Sequence, residues 1–298
     1  MLVGFDIGGT KIEIRVINHV TGHELFVKRI PTPSNYEDLI TKITQLVELA
    51  EKETGSVKSI GIGLPGAINP QTGLIQNANC TFLNDHDLKS DLAFSLNKVV
   101  NIANDANCFT LSEAVDGAGK EGSVVFGAIL GTGCGGGIVI NKQVLCGPNA
   151  LAGEWGHNPL PSWNQEHDGD TISCYCGRNN CIERYISGSG LEENYRLLHN
   201  QSKSAPEIIS AYMTGDVQAE ASYNRMLDQM ARSFATIINI LDPDVIVLGG
   251  GLSNVDCLYR DLPDAAKPYI FSDNPKVTFK KAVYGDSSGV RGAAWLAK

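Results

Sequence analysis

Residues 2–17 read LVGFDIGGTKIEIRVI: an apolar run, a Gly-Gly-Thr turn, then a run rich in β-branched residues. The pattern predicts two short strands joined by a tight turn. HELFVKRI, residues 23–30, follows the Thr21-Gly22 turn as a third strand, so the chain opens as a β-meander. Asp6 ends the first strand. A carboxylate placed there needs a partner, and a Mg²⁺ ion carried on a nucleotide is a suitable one. The turn behind it supplies backbone N–H groups and the Lys11 cation, which makes Gly8, Gly9, Thr10 and Lys11 a candidate phosphate-binding turn. It is not a Walker A loop, because the G-x-x-x-x-G-K-[ST] spacing is absent and a strand follows in place of a helix. Alone, GGT is more often an ordinary hairpin turn.

The same theme returns at residues 124–140, VVFGAILGTGCGGGIVI. This second turn offers Thr132, Gly133, Gly135, Gly136 and Gly137. A third glycine run, Gly249, Gly250 and Gly251, ends the apolar strand of DVIVLGGG. Three such turns, each closing an apolar strand, point to a nucleotide site more strongly than any one does. The repetition suggests two related α/β domains with a break near residues 115–122, where Gly and charge cluster. We expect domains 1–118 and 119–285, with the terminal helix 286–298 packing back onto the first.

Between these turns, YEDLITKITQLVELAEKETG carries Leu39, Ile43, Leu46, Val47 and Ala50 at helical spacing and ends at Gly55. SIGIGLPG and VVNIANDANC read as strands, the second running into a helix, CFTLSEAVDGAG. Asp105, in NDAN, sits at that junction. It reads as a helix cap, or as the base that orients a substrate hydroxyl and takes its proton late in a loose phosphoryl-transfer transition state. Helices are also expected in LEENYRLLH, APEIISAYMTG, DVQAEASYNRMLDQMARSFATIINILD and SSGVRGAAWLA.

Hydrophobic residues at 43% and charged residues at 19% mark an ordinary globular chain, and 298 residues suffice for two domains. A net charge of −9 with no local basic stretch argues against a nucleic-acid partner. No run approaches the ~18 apolar residues of a membrane span, and MLVGFDIGGTK lacks a signal-peptide layout. The cytoplasm is therefore expected, with the eight cysteines reduced and no disulfide framework. Five are isolated and read as small hydrophobes. The other three fall in CYCGRNNC, residues 174–181, inside an irregular stretch from 150 to 182. Their spacing is not the redox C-x-x-C, whereas a closed Cys₃His set is a structural zinc site. His157 and His167 both compete for the fourth position.

DIGGTK, GTGCGGG, AGEWGH, CYCGRNNCIE and VLGGGLS occur in the order found in the ROK family of sugar kinases and repressors, and the resemblance covers essentially the whole chain. NANCTFLN, EWGHNPLP, NILDPDVIVLGGGLSNVD and GDSSGVRGAAWL look most like bacterial fructokinases of the manno(fructo)kinase type. The resemblance implies the actin-like ATPase (ribonuclease H-like) fold, with two domains and a cleft between them. It implies Mg²⁺- and ATP-dependent phosphorylation of a hexose 6-hydroxyl, D-fructose to fructose 6-phosphate, with Asp105 as catalytic base. By the same resemblance Asn104, Glu154, His157 and Glu183 hold the sugar hydroxyls and Gly66 lines their pocket. A structural zinc would sit on His157, Cys174, Cys176 and Cys181, which favours His157 over His167. The family pattern C-x-C-G-x-x-G-C has Gly where this chain has Asn180, and Asn tolerates left-handed backbone. The rival acceptors are N-acetylglucosamine, glucose and mannose. The other rivals are a sugar-responsive repressor, which the phosphate turn at residue 6 leaves no room for, and a non-catalytic sugar-binding module. The expected partner is a small hexose, without nucleic acid or membrane; the sequence leaves the assembly open, a homodimer being one option.

Overall fold

The computed structural model describes every residue except Asn79, which lies within NANCTFLN. The chain begins with β1 (Leu2–Ile7), β2 (Lys11–Ile17), β3 (Glu24–Pro31), α1 (Tyr36–Thr54) and β4 (Ser59–Leu64). The short strands β5 (Ala67–Ile68) and β6 (Ile75–Gln76), α2 (Leu88–Leu96), β7 (Val99–Asn104) and α3 (Asp105–Val115) follow. Next come β8 (Val124–Leu130), β9 (Cys134–Ile140), β10 (Gln143–Val144), α4 (Gln165–Asp168), α5 (Glu183–Ile186), α6 (Gly188–His199) and α7 (Ala205–Met213). The chain ends with α8 (Val217–Leu241), β11 (Val245–Gly249), α9 (Cys257–Ala266), β12 (Phe279–Lys281) and α10 (Ser288–Leu296).

Two compact units result. One comprises residues 1–120, 137–152 and 283–298, the other residues 121–136 and 153–282. The repeated strand–turn–strand theme is architectural. One sheet runs β3-β2-β1-β4-β7 and the other β10-β9-β8-β11-β12. In each, the central strand is followed by two parallel neighbours: β4 beside β1 and β7 beside β4, then β11 beside β8 and β12 beside β11. Residues 137–152 group with the first unit, although the sequence places them in the second. The reason is local: Gly137 packs directly on Thr110 and the Ala106 carbonyl of α3, so the far half of β9 leaves with that helix.

The first unit's core lies between its sheet and α1, whose Leu39, Ile43, Leu46, Val47 and Ala50 are all buried, as the helical spacing requires. β2 does not alternate; it is buried along almost its whole length, because α10 packs on the sheet as well. That packing is unusually close. A Cβ on Gly4 of β1 would overlap the Val290 carbonyl and Ala294 nitrogen, one on Gly61 of β4 the Ala293 carbonyl, and one on Gly292 of α10 the Cys108 carbonyl. The end of the chain is pinned by Glu113 of α3. This buried carboxylate accepts hydrogen bonds from the Val283 and Tyr284 amides (3.0 and 3.2 Å) and the Ser288 hydroxyl (2.8 Å). Among the described residues no helix is long and apolar enough to cross a membrane.

Gly61→Ala should cost at least about 3 kcal/mol, because backbone must move to admit the methyl group. Gly9→Ala, where a Cβ would meet no protein atom within 4 Å, should stay within about 1 kcal/mol of wild type, the ordinary range for a surface change. Urea unfolding of the two variants checks the contrast.

Candidate active site and metal cluster

The carboxyl ends of β1, β4 and β7 form one edge of the first sheet. Register pairs Asp6 with Gly63 and Gly63 with Ala103, so Asp6, the last β7 residue Asn104 and Asp105, which opens α3, arrive at the same edge. Open α/β sheets bind ligands there. Asn104 caps α3: its side-chain oxygen accepts from the Ala106 amide at 2.8 Å and its amide donates to the Gly66 carbonyl at 3.3 Å. The cap is thus Asn104. Asp105 is the first helical residue, with one oxygen accepting from the Ala106 amide at 2.8 Å. Gly66 adopts φ 128° and lies against Gln76 and Ala78.

The two carboxylates are unfavourably placed for charge. Burial, helped by repulsion from Asp105 and Glu13, pushes Asp6 up to about 6 despite Lys11 and Arg29. Asp105 is exposed to solvent along part of its side chain, and the protein packed around its carboxyl raises that group too, against the pull of the Ala106 amide. Such a pair takes up a proton or a cation. The adjacent turn is a closed hairpin. The Gly8 amide donates to the Lys11 carbonyl (2.9 Å) and the Gly8 carbonyl accepts from the Thr32 hydroxyl (2.6 Å), so the Gly8 amide is not free for a phosphate. Gly9, Thr10 and Lys11 are exposed beside it.

In the second unit, Glu183 opens α5, and its carboxylate accepts from the Cys134 amide of the Gly-rich turn at 3.0 Å. This explains several glycines by packing. A Cβ on Gly133 would collide with Glu183, and one on Gly136 with the Trp155 indole, which donates to the Gly135 carbonyl at 3.1 Å. Gly250 (φ 76°) backs onto Leu130 and Gly131. Gly249 ends β11 and Thr132 is exposed. No protein atom would meet a Cβ on Gly131 or Gly251 within 4 Å, as at Gly9. The carbonyl of Gly131, the first residue of GTGCGGG, also accepts from the Gly188 amide at the start of α6 (2.7 Å). Glu154 is exposed just ahead of the 3₁₀ turn Trp155–His157.

His157 and Cys174, Cys176 and Cys181 converge, with their ligand atoms within 4.8 Å of one another. Cys174 Sγ lies 3.7 Å from His157 Nδ1, and Cys176 Sγ lies 3.5 Å from Cys181 Sγ. A tetrahedron with Zn–S bonds of about 2.3 Å has edges of about 3.8 Å, so the donor set fits zinc in both chemistry and size. His167 is exposed on α4 and outside the cluster. Asn180 does more than tolerate φ 56°: its side-chain oxygen accepts from the Ile172 amide and the Tyr185 hydroxyl, each at 2.9 Å.

The stretch from 150 to 182 reads as irregular, yet it has a second anchor independent of the cluster. Buried Asp168 of α4 accepts from Arg232 (2.6 Å) and Gln229 (3.0 Å) of α8, and Arg232 also donates to the Pro161 carbonyl (2.6 Å). Burial opposes the Asp168 charge, but the bonds from Arg232 and Gln229 outweigh it and hold this carboxyl below the usual range. Nothing in the local sequence signals a partner in another helix.

The ROK family model matches residues 2–298. The chain belongs to the ROK family. Full-length relatives include the N-acetyl-D-glucosamine kinases of Haemophilus influenzae (41% identical, covering 99% of both chains) and Yersinia enterocolitica (40%, 99% of both). Among solved structures, the ROK hexokinase from Thermus thermophilus superimposes with a TM-score of 0.87 at 28% identity, covering 99% of this chain and 97% of that one. A ROK glucokinase from Streptomyces griseus, in complex with glucose and AMPPNP, gives 0.75 at 26%, covering 99% and 98%. The fold of this ROK protein is accordingly the two-domain, actin-like ATPase fold of the ROK sugar kinases. The narrower likeness to fructokinases finds no support among these relatives.

Two outcomes should follow. Between 3.8 and about 6 the folded protein holds a proton at Asp6 that the unfolded chain has released. Stability therefore falls as pH rises through that window, and the deficit is complete above it. Neutral Asp6→Asn should be more stable than wild type at pH 7.5, by up to about 3 kcal/mol, while losing activity; a lower melting temperature contradicts the account. Metal chelation should open residues 173–181 to protease while 158–170 stay protected, and Arg232→Met should expose the latter.

Proposed function

We propose that this ROK protein is a kinase that transfers the γ-phosphoryl group of ATP to the 6-hydroxyl of N-acetylglucosamine. The observation that carries the sugar assignment is the likeness, at 40–41% identity over full length, to proteins named N-acetyl-D-glucosamine kinase. The chemistry rests on the paired carboxylates. Asp105, at the carboxyl edge of the sheet and raised by burial, is a stronger base than an ordinary aspartate and would orient the hydroxyl and receive its proton. Asp6 would hold Mg²⁺ of the nucleotide, directly or through water; the cation supplies the positive charge that both the phosphates and this carboxylate pair lack. Gly9 and Gly251, whose side-chain positions the protein leaves open, are the glycines best suited to close approach by phosphate.

Glu154 and Glu183 would hold sugar hydroxyls, with Asn104 and Gly66 shaping the wall beside Asp105. One oxygen of Glu183 is engaged by the Cys134 amide, which fixes the carboxylate's direction. His157, expected from sequence to serve both sugar and metal, has Nδ1 at Cys174 and Nε2 at the Tyr175 hydroxyl (3.1 Å). Its part is then with the metal. Zinc on His157, Cys174, Cys176 and Cys181 would be structural, with no open position for water, and would order the turn between Glu154 and Glu183.

Fructose is the second reading, favoured by the EWGHNPLP and GDSSGVRGAAWL stretches. A coupled ADP-release assay over a hexose panel should give kcat/KM for N-acetylglucosamine at least tenfold above that for fructose, and the reverse order would return the assignment to fructose. Asp105→Asn should lower kcat by about 10²–10⁴-fold with sugar affinity retained. Near-normal turnover would remove Asp105 from the role of base.

A further inference from the structure

The turn that carries the cysteines has one feature that metal ligation does not explain. Tyr175, between Cys174 and Cys176, is 83% exposed, so burial of its ring is not what holds it in place. Its contacts are with His157. The two rings meet edge to face, with centroids 5.2 Å apart and planes at 88°, and the phenol oxygen lies 3.1 Å from Nε2.

A neutral imidazole has one N–H and one lone pair. A metal takes the lone pair, so the proton must sit on the other nitrogen and needs an acceptor. Nδ1 faces the thiols, 3.7 Å from Cys174 Sγ. Nε2 must therefore be the protonated nitrogen. Among the described residues the Tyr175 hydroxyl is the partner the structure gives it.

We propose that Tyr175 is a positioning residue for the metal centre, its phenol oxygen accepting the Nε2 proton of His157 and holding the Nδ1 lone pair toward the three thiolates. This rests on the reading of the cluster as a zinc site. The arrangement is self-consistent. Cys174 and Cys176 set the direction of the turn, the turn places the phenol, and the phenol selects the tautomer that lets His157 join the cysteines. Metal-ligating histidines commonly use a carboxylate, a backbone carbonyl or water for this purpose; here the acceptor is supplied from within the ligand turn.

Tyr175→Phe keeps the ring and removes only the acceptor. Zinc-loaded wild type and variant are mixed with excess chromogenic chelator and zinc release is followed. Release should be about 10- to 100-fold faster from the variant, and equal rates would overturn the proposal. Thermal unfolding of loaded and metal-stripped forms distinguishes positioning from packing. The variant should melt lower than wild type only when loaded. An equal loss in the stripped forms would make the hydroxyl merely structural and overturn the proposal. Wild-type protein that takes up no zinc would overturn the metal reading itself, and the wild-type arm alone reports that failure.

Discussion

The first unit is built on backbone-to-backbone packing of α10 against the sheet. Gly4 and Gly61 on the strands, with Gly292 on the helix facing α3, remove the three side chains that would hold these layers at an ordinary separation. Gly289, in the first turn of α10, comes close to the Asp6 carboxylate. The end of the chain thus helps wall off a charged group near its beginning. Glu113 fixes this return with bonds to residues 283, 284 and 288. The arrangement is costly, since a buried carboxylate must find several donors at once. It yields an edge at which the Asp105 charge adds to burial in raising the Asp6 carboxyl.

The second unit repeats the strand order but puts it to different use. There is no Asp6 counterpart at the end of β8; the turn is instead tied to Glu183 through the Cys134 amide and packed on Trp155. Glu183 and Glu154 flank the cysteine stretch, and that stretch is pinned twice, by the His157 and cysteine cluster and by the Asp168–Arg232 pair. A breach of one anchor leaves the other, so a metal bound at the cluster would have less chain to order than the sequence alone implies.

Much of this was legible in sequence, because strand–glycine–strand patterns and helical spacing are local signals. β1, β2, β3, α1 and the strand before Asp105 lie where periodicity puts them. α2, α9 and β12 escaped notice: α2 buries only Leu88 and Leu92, α9 contains Pro263, and β12 is three residues long. The three clustered cysteines were legible because their spacing is compact, whereas His157, 17 residues before Cys174, was chosen over His167 only through the family resemblance. What was not legible is long-range. Arg232 finds Asp168 across 64 residues and Glu113 finds Ser288 across 175. The glycines were legible as a group but not by task. Gly133, Gly136 and Gly137 answer to Glu183, Trp155 and Thr110, while Gly9 and Gly251 answer to nothing in the protein. The fructokinase likeness rested on short stretches, and the full-length relatives, named N-acetyl-D-glucosamine kinases, do not support it.

Asp6 and Asp105 share one sheet edge, where burial raises both carboxyls and the Asp105 charge raises Asp6 further. A carboxyl ¹³C NMR titration of the nucleotide-free protein, in wild type and in Asp105→Asn, tests this coupling. The Asp6 resonance should titrate near pH 6 in wild type and at lower pH in the variant, where the repulsion is gone. Titration of Asp6 near its ordinary value of 3.8, unmoved by Asp105→Asn, would contradict the account.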